Sequence, residues 1–290
     1  MEIILICPFK NEVSIKTSFD ILKLLLKDKI SVSVDDNLYT EFKKIQQNIE
    51  INLYKDLKSS ADFLFCIGGD GSMLKAVSFL KQDQIPILGI NIGRLGFLTG
   101  IQKDKLNKGI HYLKTKNYSL VKRDLLKLKI KGKVDLEFPY ALNEITVSRK
   151  NTASLISIET SIDKIKLSKY WADGLIIATP TGSTGYNLSS GGPIMLPETP
   201  SILITPIAAH NLNVRPLVIP NESIIELEVD GQGTGSEHFL SLDSKLISIP
   251  YKTKIFVSKA SFSVHTIKFK KNEFYNDLSE KLFWGLDKRN

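Results

Sequence analysis

Ala61-Asp62-Phe63-Leu64-Phe65-Cys66-Ile67-Gly68-Gly69-Asp70-Gly71-Ser72-Met73-Leu74-Lys75-Ala76-Val77 is the stretch from which the rest of the chain reads outward. The apolar run ending at Ile67 predicts a buried strand, and Met73, Leu74, Val77 and Leu80 recur at helical spacing. Three glycines on the turn between them let backbone N–H groups come close to an anion, at the positive end of a helix. Asp70 is out of place in a loop that only cradles phosphate, because a bare carboxylate repels one. It fits a site that deprotonates a hydroxyl or holds a metal beside the phosphate, which points to phosphoryl transfer to an alcohol. The competing reading is a tight turn with Asp70 capping the helix. No G-x-G-x-x-G stands in a strand–turn–helix setting and no P-loop occurs.

On both sides of this stretch, strand and helix patterns alternate. Met1–Pro8, Ile30–Val34 and Ile85–Ile90 read as strands, and Asn11–Lys29 and residues 37–48 as helices. The strand at Ile85 runs into Asn91-Ile92-Gly93-Arg94-Leu95-Gly96-Phe97-Leu98, a second glycine-punctuated loop. The alternation predicts an α/β domain with a Rossmann-like, mostly parallel sheet, whose ligands sit at the carboxyl ends of the strands. Near residue 120 the texture changes to short alternating or β-branched runs separated by turn residues. These include Leu125–Lys131, Tyr140–Ser148, Ala153–Ile162, Lys164–Ser168, Leu175–Thr179, Ile202–Pro206, Ser223–Val229 and Lys254–Val257. They predict a β-rich, β-sandwich-like second domain. The expected organisation is 1–120 α/β, 121–270 β-rich, and a helical segment at 271–290 that could return to the first domain.

At 290 residues, 42% hydrophobic and 24% charged, the chain has the composition of a globular protein with ample core. The net charge of +8 comes from lysines spread along the whole chain, without a dense basic tract interleaved with aromatics, so nucleic acid is not an expected partner. Cys7 and Cys66 both lie in apolar runs, as buried thiols in a reducing compartment would. There are four histidines and no Cys/His pair at metal-ligand spacing. No run approaches the roughly 18 apolar residues of a membrane span. The start, Met1–Cys7, lacks a basic n-region and reads as a strand, so the cytoplasm is the expected location.

A second constellation follows the strand Leu175–Thr179: Pro180-Thr181-Gly182-Ser183-Thr184-Gly185-Tyr186-Asn187-Leu188-Ser189. Small hydroxyl residues and glycines give donors with little bulk, which suits a polar ligand against the backbone, and Tyr186 offers a ring for stacking. A capped helix start explains the same residues equally well. Asn143-Glu144 interrupts an apolar strand. An amide next to a carboxylate can read an adenine edge and a ribose diol, or simply mark a strand end. His210, alone before Asn211, reads first as a structural histidine.

Taken in order, Gly68-Gly69-Asp70-Gly71, the loop 93–98, Asn143-Glu144, Asp173-Gly174, Thr179–Tyr186, Gly191-Gly192-Pro193, and His210 with Arg215-Pro216 resemble the NAD kinase family. The ending Trp284-Gly285-Leu286-Asp287 is similar to bacterial members. Gly-Gly-Asp-Gly alone is shared with lipid-alcohol kinases and phosphofructokinases; the longer second motif is the specific one. The resemblance implies transfer of the γ-phosphate of ATP to the 2′-hydroxyl of the adenosine ribose of NAD, giving NADP. It further implies a divalent ion, usually magnesium, with its ligands unassigned, a homodimer or homotetramer, and a dinucleotide lying between the two domains. By this matching, Asp70 is the proton acceptor and Gly71 a backbone contact to the dinucleotide. Asn143 and Glu144 hold the adenosine, and Asp173 lies near the nicotinamide half. Thr184, Gly185, Tyr186, Asn187, Leu188 and Ser189 wrap the ligand. Lys75 sits where many members carry a cation, although an exposed lysine explains it as well.

This chain departs from the family pattern at three places. Gly185 stands where alanine is commoner. Trp171 stands where many members have a basic residue, and Lys245 where some have glutamine; Lys245 could restore the positive charge missing at Trp171. A lipid-alcohol kinase would need an apolar pocket or a membrane-facing helix, and neither shows clearly in the sequence. A non-catalytic NAD(P) sensor would have no need of Asp70.

Overall fold

The computed structural model describes residues 1–49, 51–54, 61–93, 96–132, 136–151, 154–231, 236–270 and 273–284. Arg94, Leu95, Ala153 and the family-like Gly285-Leu286-Asp287 lie outside the described residues. The chain divides into two compact units, one of Met1–Lys122 with Val264–Asn290 and one of Arg123–Ser263.

The first unit carries β1 (Glu2–Ile6), β2 (Ser31–Val34), β3 (Asn52–Leu53), β4 (Phe63–Ile67), β5 (Ile87–Asn91) and β6 (Ile101–Gln102). Its helices include α1 (Glu12–Lys27), α2 (Asp36–Ile45), α3 (Asp70–Leu80) and α4 (Leu106–Lys114). Strands β5-β4-β1-β2-β3 pair in parallel in that order, and β6 and Thr266 of the strand Lys254–Lys268 also pair in parallel with β5. Alternate residues face opposite sides of the sheet. Ile3, Leu5, Phe65, Ile67, Leu88 and Ile90 share one core with Phe19, Leu22, Phe42, Leu106 and Ile110 of the helices. On the other face Met73 of α3 lies over Gly89, where a Cβ would sit 2.7 Å from its sulfur. Both faces are therefore covered, which is why these strands read as continuous apolar runs rather than alternating ones. α1 begins with a capping box in which Asn11 and Ser14 satisfy each other's backbone N–H groups. Cys7 and Cys66 are buried free thiols, as the sequence predicts, and burial pushes the Cys66 thiol well up.

The second unit is antiparallel. It comprises most of β7 (Ser119–Ile130), which begins in the first unit, β8 (Tyr140–Ala141), β9 (Glu144–Ser148), β10 (Ile156–Ile162), β11 (Ile165–Ala172) and β12 (Gly174–Ala178). These are followed by β13 (Ser201–Ile207), β14 (Leu217–Pro220), β15 (Ile225–Gly231), β16 (Glu237–Leu242), β17 (Lys245–Pro250) and β18 (Lys254–Lys268), the last of which continues into the first unit. One sheet runs β14-β13-β12-β9-β16-β17; another path runs β11-β10-β15-β18. Their inner faces share a core: Ile145, Val147, Leu175, Ile177, Ile204 and Leu240 from the first pack with Ile158, Leu227, Val229 and Val257 from the second. This is the β-sandwich-like arrangement that the sequence predicts. The β10–β11 hairpin turns at Asp163-Lys164, both with positive φ (50° and 70°), as a two-residue primed turn requires. Among the described residues no helix is long and apolar enough to cross a membrane.

Candidate functional site

In the first unit, β4 and β5 are neighbours, so their carboxyl-end loops lie side by side, and Gly68 N–H donates to Ile90 O at 3.0 Å. Gly68 has φ +140°, and a Cβ there would run into Ser72, so only glycine makes this turn. Gly69 caps α3 without a side-chain bond, and Asp70 is its first residue. The carboxylate is held from across the second loop. Phe97 N–H donates to Oδ2 at 2.7 Å and Leu98 N–H to Oδ1 at 3.0 Å. Charge-assisted bonds of this kind are the strong ones. Each oxygen keeps a further lone pair, and among the described residues no cation is paired with Asp70. Gly96 makes the grip possible, since a Cβ there would overlap the carboxylate. Gly96→Ala is therefore expected to strain this half-buried loop and lower the melting temperature. It should also displace the carboxylate from its two N–H donors. A melting curve beside amide exchange at Phe97 and Leu98 would check this. Gly71 is exposed beside Phe9, whose ring a Cβ would meet at 3.6 Å, so backbone access is open. Lys75 is exposed one turn further along α3.

In the second unit, Asn143 and Glu144 stand where β9 begins. The turn after β12 folds back on them. Thr179 N–H donates to Asn143 O at 2.8 Å, the Thr179 hydroxyl donates to Leu142 O at 2.6 Å, and Gly182 N–H donates to Thr179 Oγ1 at 3.0 Å. A side chain at Gly182 would overlap the Asn143 backbone. A Cβ at Gly185 would lie 3.2 Å from Glu144 Oε2 and 3.6 Å from Asn143 Nδ2. Asn143, Glu144, Gly185 and Tyr186 are thus brought together, with the Tyr186 ring exposed beside them. Asn143 Oδ1 and Glu144 Oε2 are buried and have no hydrogen-bond partner among the described residues. Buried polar atoms left in this state are costly and call for a donor from elsewhere. Glu144 is pushed up to about 8, first by burial and next by the Asp243 carboxylate, against the pull of the Tyr186 backbone N–H.

Asp243, to which the sequence gives no pointer, sets this corner. From the β16–β17 turn (φ 49°), its oxygens accept Leu142, Asn143 and Glu144 N–H at 2.9, 2.8 and 3.1 Å. Burial pushes its carboxyl up, against those three bonds. An Asp in a hairpin turn carries no sequence signal that separates this task from ordinary turn chemistry.

The other predicted residues are dispersed in role. Asn187 is fully buried: its amide donates to Ser183 O and Pro193 O, and its Oδ1 accepts the Thr205 hydroxyl at 2.6 Å. It holds the segment 183–193 in shape rather than facing outward. The Thr184 hydroxyl bonds Thr181 O at 3.4 Å, Leu188 is half-buried and Ser189 is exposed. Asp173 pairs with Arg149 at 2.9 Å. Trp171 is exposed on β11, its N–H bonded to Asn211 Oδ1 and its carbonyl to His210 N–H. Lys245 is exposed at the start of β17, on a different strand path. His210 is itself exposed.

The chain matches two family models, described as ATP-NAD kinase N-terminal domain over residues 3–118 and ATP-NAD kinase C-terminal domain over residues 142–269. It is similar to the NAD kinase of Christiangramia forsetii, 44% identical over 276 residues, with 93% of this chain and 93% of that protein covered. It is similar also to the NAD kinase of Flavobacterium psychrophilum, 46% identical over 239 residues, covering 82% and 81%. Among solved structures, yeast NADH kinase complexed with NADH superposes with a TM-score of 0.88 at 24% identity, over 99% of this chain and 88% of that one. An NAD kinase from Archaeoglobus fulgidus in complex with ATP gives 0.73 at 24% identity, over 98% and 99%. At that identity the structural likeness speaks for the fold.

Proposed function

The chain belongs to the NAD kinase family, and from that premise we propose that it moves the γ-phosphate of ATP to the 2′-hydroxyl of the adenosine ribose of NAD, with Asp70 as general base. The 2′-oxygen bonds to the γ-phosphorus while the bond from that phosphorus to the bridging oxygen breaks. ADP leaves with the electron pair, the 2′-proton passes to the Asp70 carboxylate, and NADP is the product. The observation that carries the reading is the placement of Asp70. It is a carboxylate without a cation partner among the described residues, on a glycine turn at the strand ends, fixed by two N–H groups. A fixed base with a free lone pair suits proton transfer in the transition state.

In the second unit, the orphaned Asn143 Oδ1 suits an adenine amino group, and Glu144 Oε2 suits ribose hydroxyl donors. Tyr186 offers a face to a flat ring. The exposed backbone at Gly71 leaves room for a ligand, and Gly185 lets the turn close on Glu144 and Asn143. Asn187 keeps the turn in shape, and Asp173, held by Arg149, is assigned to the nicotinamide side.

Among the described residues no three His, Cys, Asp or Glu side chains converge. That donor set fits magnesium arriving as the counter-ion of the ATP phosphates rather than a resident ion in a protein cage. The family resemblance also leads us to expect a cytoplasmic homodimer or homotetramer.

The test is direct: purified protein with ATP, magnesium and NAD, assayed for NADP, and repeated with NADH and with a lipid alcohol. NADP formation supports the reading. NAD binding without turnover, or phosphorylation of the lipid alcohol alone, overturns it.

A further inference from the structure

The loop that grips Asp70 is itself gripped from behind. Phe97 and Leu98 give their N–H groups to the carboxylate. The residues flanking them are held by the C-terminal helix Glu273–Leu282 and the end of β18, all within the first unit. Lys281 Nζ donates to Gly96 O and stands 4.9 Å over the Phe97 ring, which also lies 6.3 Å from the Phe274 ring. Lys268 Nζ donates to Thr99 O at 3.4 Å. Asp277 joins the two lysines, 2.8 Å from Lys281 and 3.9 Å from Lys268. All three side chains are at least nine-tenths buried.

Burying ions costs free energy even when they are paired, and an apolar residue of the same size often packs as well or better. A buried triad is therefore poor evidence for stability and calls for another reason. Here the reason is geometric. Its contacts include Gly96 O and Thr99 O, on either side of the two N–H groups that fix Asp70, and the Phe97 ring.

We infer that Lys281 and Asp277 are positioning residues for phosphoryl transfer: with Lys268 they form a clasp that holds the loop Gly96–Thr99 where its N–H groups align the Asp70 carboxylate. The inference rests on the reading of Asp70 as the base, and it extends the active machinery to a helix far along the chain from the Asp70 turn. The Lys281 ammonium acts through the loop, so its loss should slow the chemical step and spare the grip on substrates.

The experiment compares Lys281→Met, Lys281→Arg and Asp277→Asn with the wild-type full-length enzyme. Lys281→Met is expected to lower kcat by roughly 10- to 100-fold, as small misplacements do, with KM for NAD and ATP little changed. Amide exchange at Phe97 and Leu98 should speed up, and Lys281→Arg should restore much of the rate by keeping the cation. If Lys281→Met fails to fold, Asp277→Asn, which keeps shape and removes the anchoring charge, carries the same expectations. Unchanged kcat, unchanged exchange, or a rise in KM alone overturns the clasp. Asp70→Asn, assayed alongside, separates the two ideas. Full activity there overturns the base reading, whereas a dead Asp70→Asn with a fully active Lys281→Met overturns the clasp only.

Discussion

Asp70→Asn is expected to lose about 10²–10⁴-fold in kcat, the usual worth of a positioned general base, with the fold retained. The substitution is nearly isosteric, but it is not silent toward the loop. The carboxylate accepts one N–H at each oxygen, from Phe97 and from Leu98. An asparagine offers one acceptor oxygen, so one of those N–H groups would meet an amide nitrogen that cannot accept. Leaving such a donor unmet costs on the order of 1–3 kcal/mol, felt as a loosened loop and a modest drop in melting temperature. The loss in kcat should therefore lie toward the upper end of that range.

KM for NAD should hardly move, because the atoms proposed to hold adenosine, Asn143 Oδ1 and Glu144 Oε2, belong to another part of the chain. A KM effect without a kcat effect would assign Asp70 to binding and end its role as base. Steady-state kinetics with a circular-dichroism melt distinguishes these outcomes. Wild-type kcat in a folded Asp70→Asn protein would leave the carboxylate as a loop fastener only.

The strand–turn–helix at 61–80 is legible in the sequence because β4 is buried on both faces and the turn accepts glycine alone at Gly68. α4 is not legible. Its face is cut by Gly109, a poor helix former, kept because a Cβ there would meet Ile101 Cδ1 at 2.7 Å. For β18 the pattern predicts only Lys254 to Val257, but the strand runs to Lys268; Ser258, Lys259, Ser261 and Ser263 break its apolar alternation. At the site, Asn143-Glu144 stands out as a polar pair in an apolar strand. The groups that fix Asp70 cannot stand out, because they are main-chain donors and any residue type supplies them. Asp243 is hidden for the related reason that its partners, too, are backbone N–H groups. Side-chain chemistry is written in the sequence, whereas the placement of main-chain donors emerges only when two loops meet.

Glu144→Gln is expected to change both the pH dependence of stability and the affinity for NAD. Burial, and then the Asp243 charge, raise the Glu144 carboxyl from its ordinary 4.5 to about 8. Between those values the folded state holds a proton that the unfolded chain releases. Stability present below pH 4.5 is therefore lost as pH rises through 8. The loss is on the order of 4–5 kcal/mol, at about 1.4 kcal/mol for each pH unit between the two values. Gln has the same shape and no charge to bury, so the variant should melt higher than wild type at pH 8–9 and almost identically near pH 5. The acid limb should be unaffected. It belongs in part to His238, whose buried imidazole is pushed down to about 4 and costs stability as pH falls from 6.5. Binding should show the reverse side of the same linkage. Ribose hydroxyls donating to Glu144 favour the ionised carboxylate, so NAD binding by the wild type should release a proton at neutral pH. Calorimetry in two buffers of different ionisation enthalpy reads that release. Glu144→Gln should release none and should bind NAD roughly 10- to 100-fold more weakly, the worth of a hydrogen bond to a charged group. Equal affinity and an unchanged stability–pH curve would mean that the Glu144 carboxyl neither titrates in the free protein nor touches the ligand.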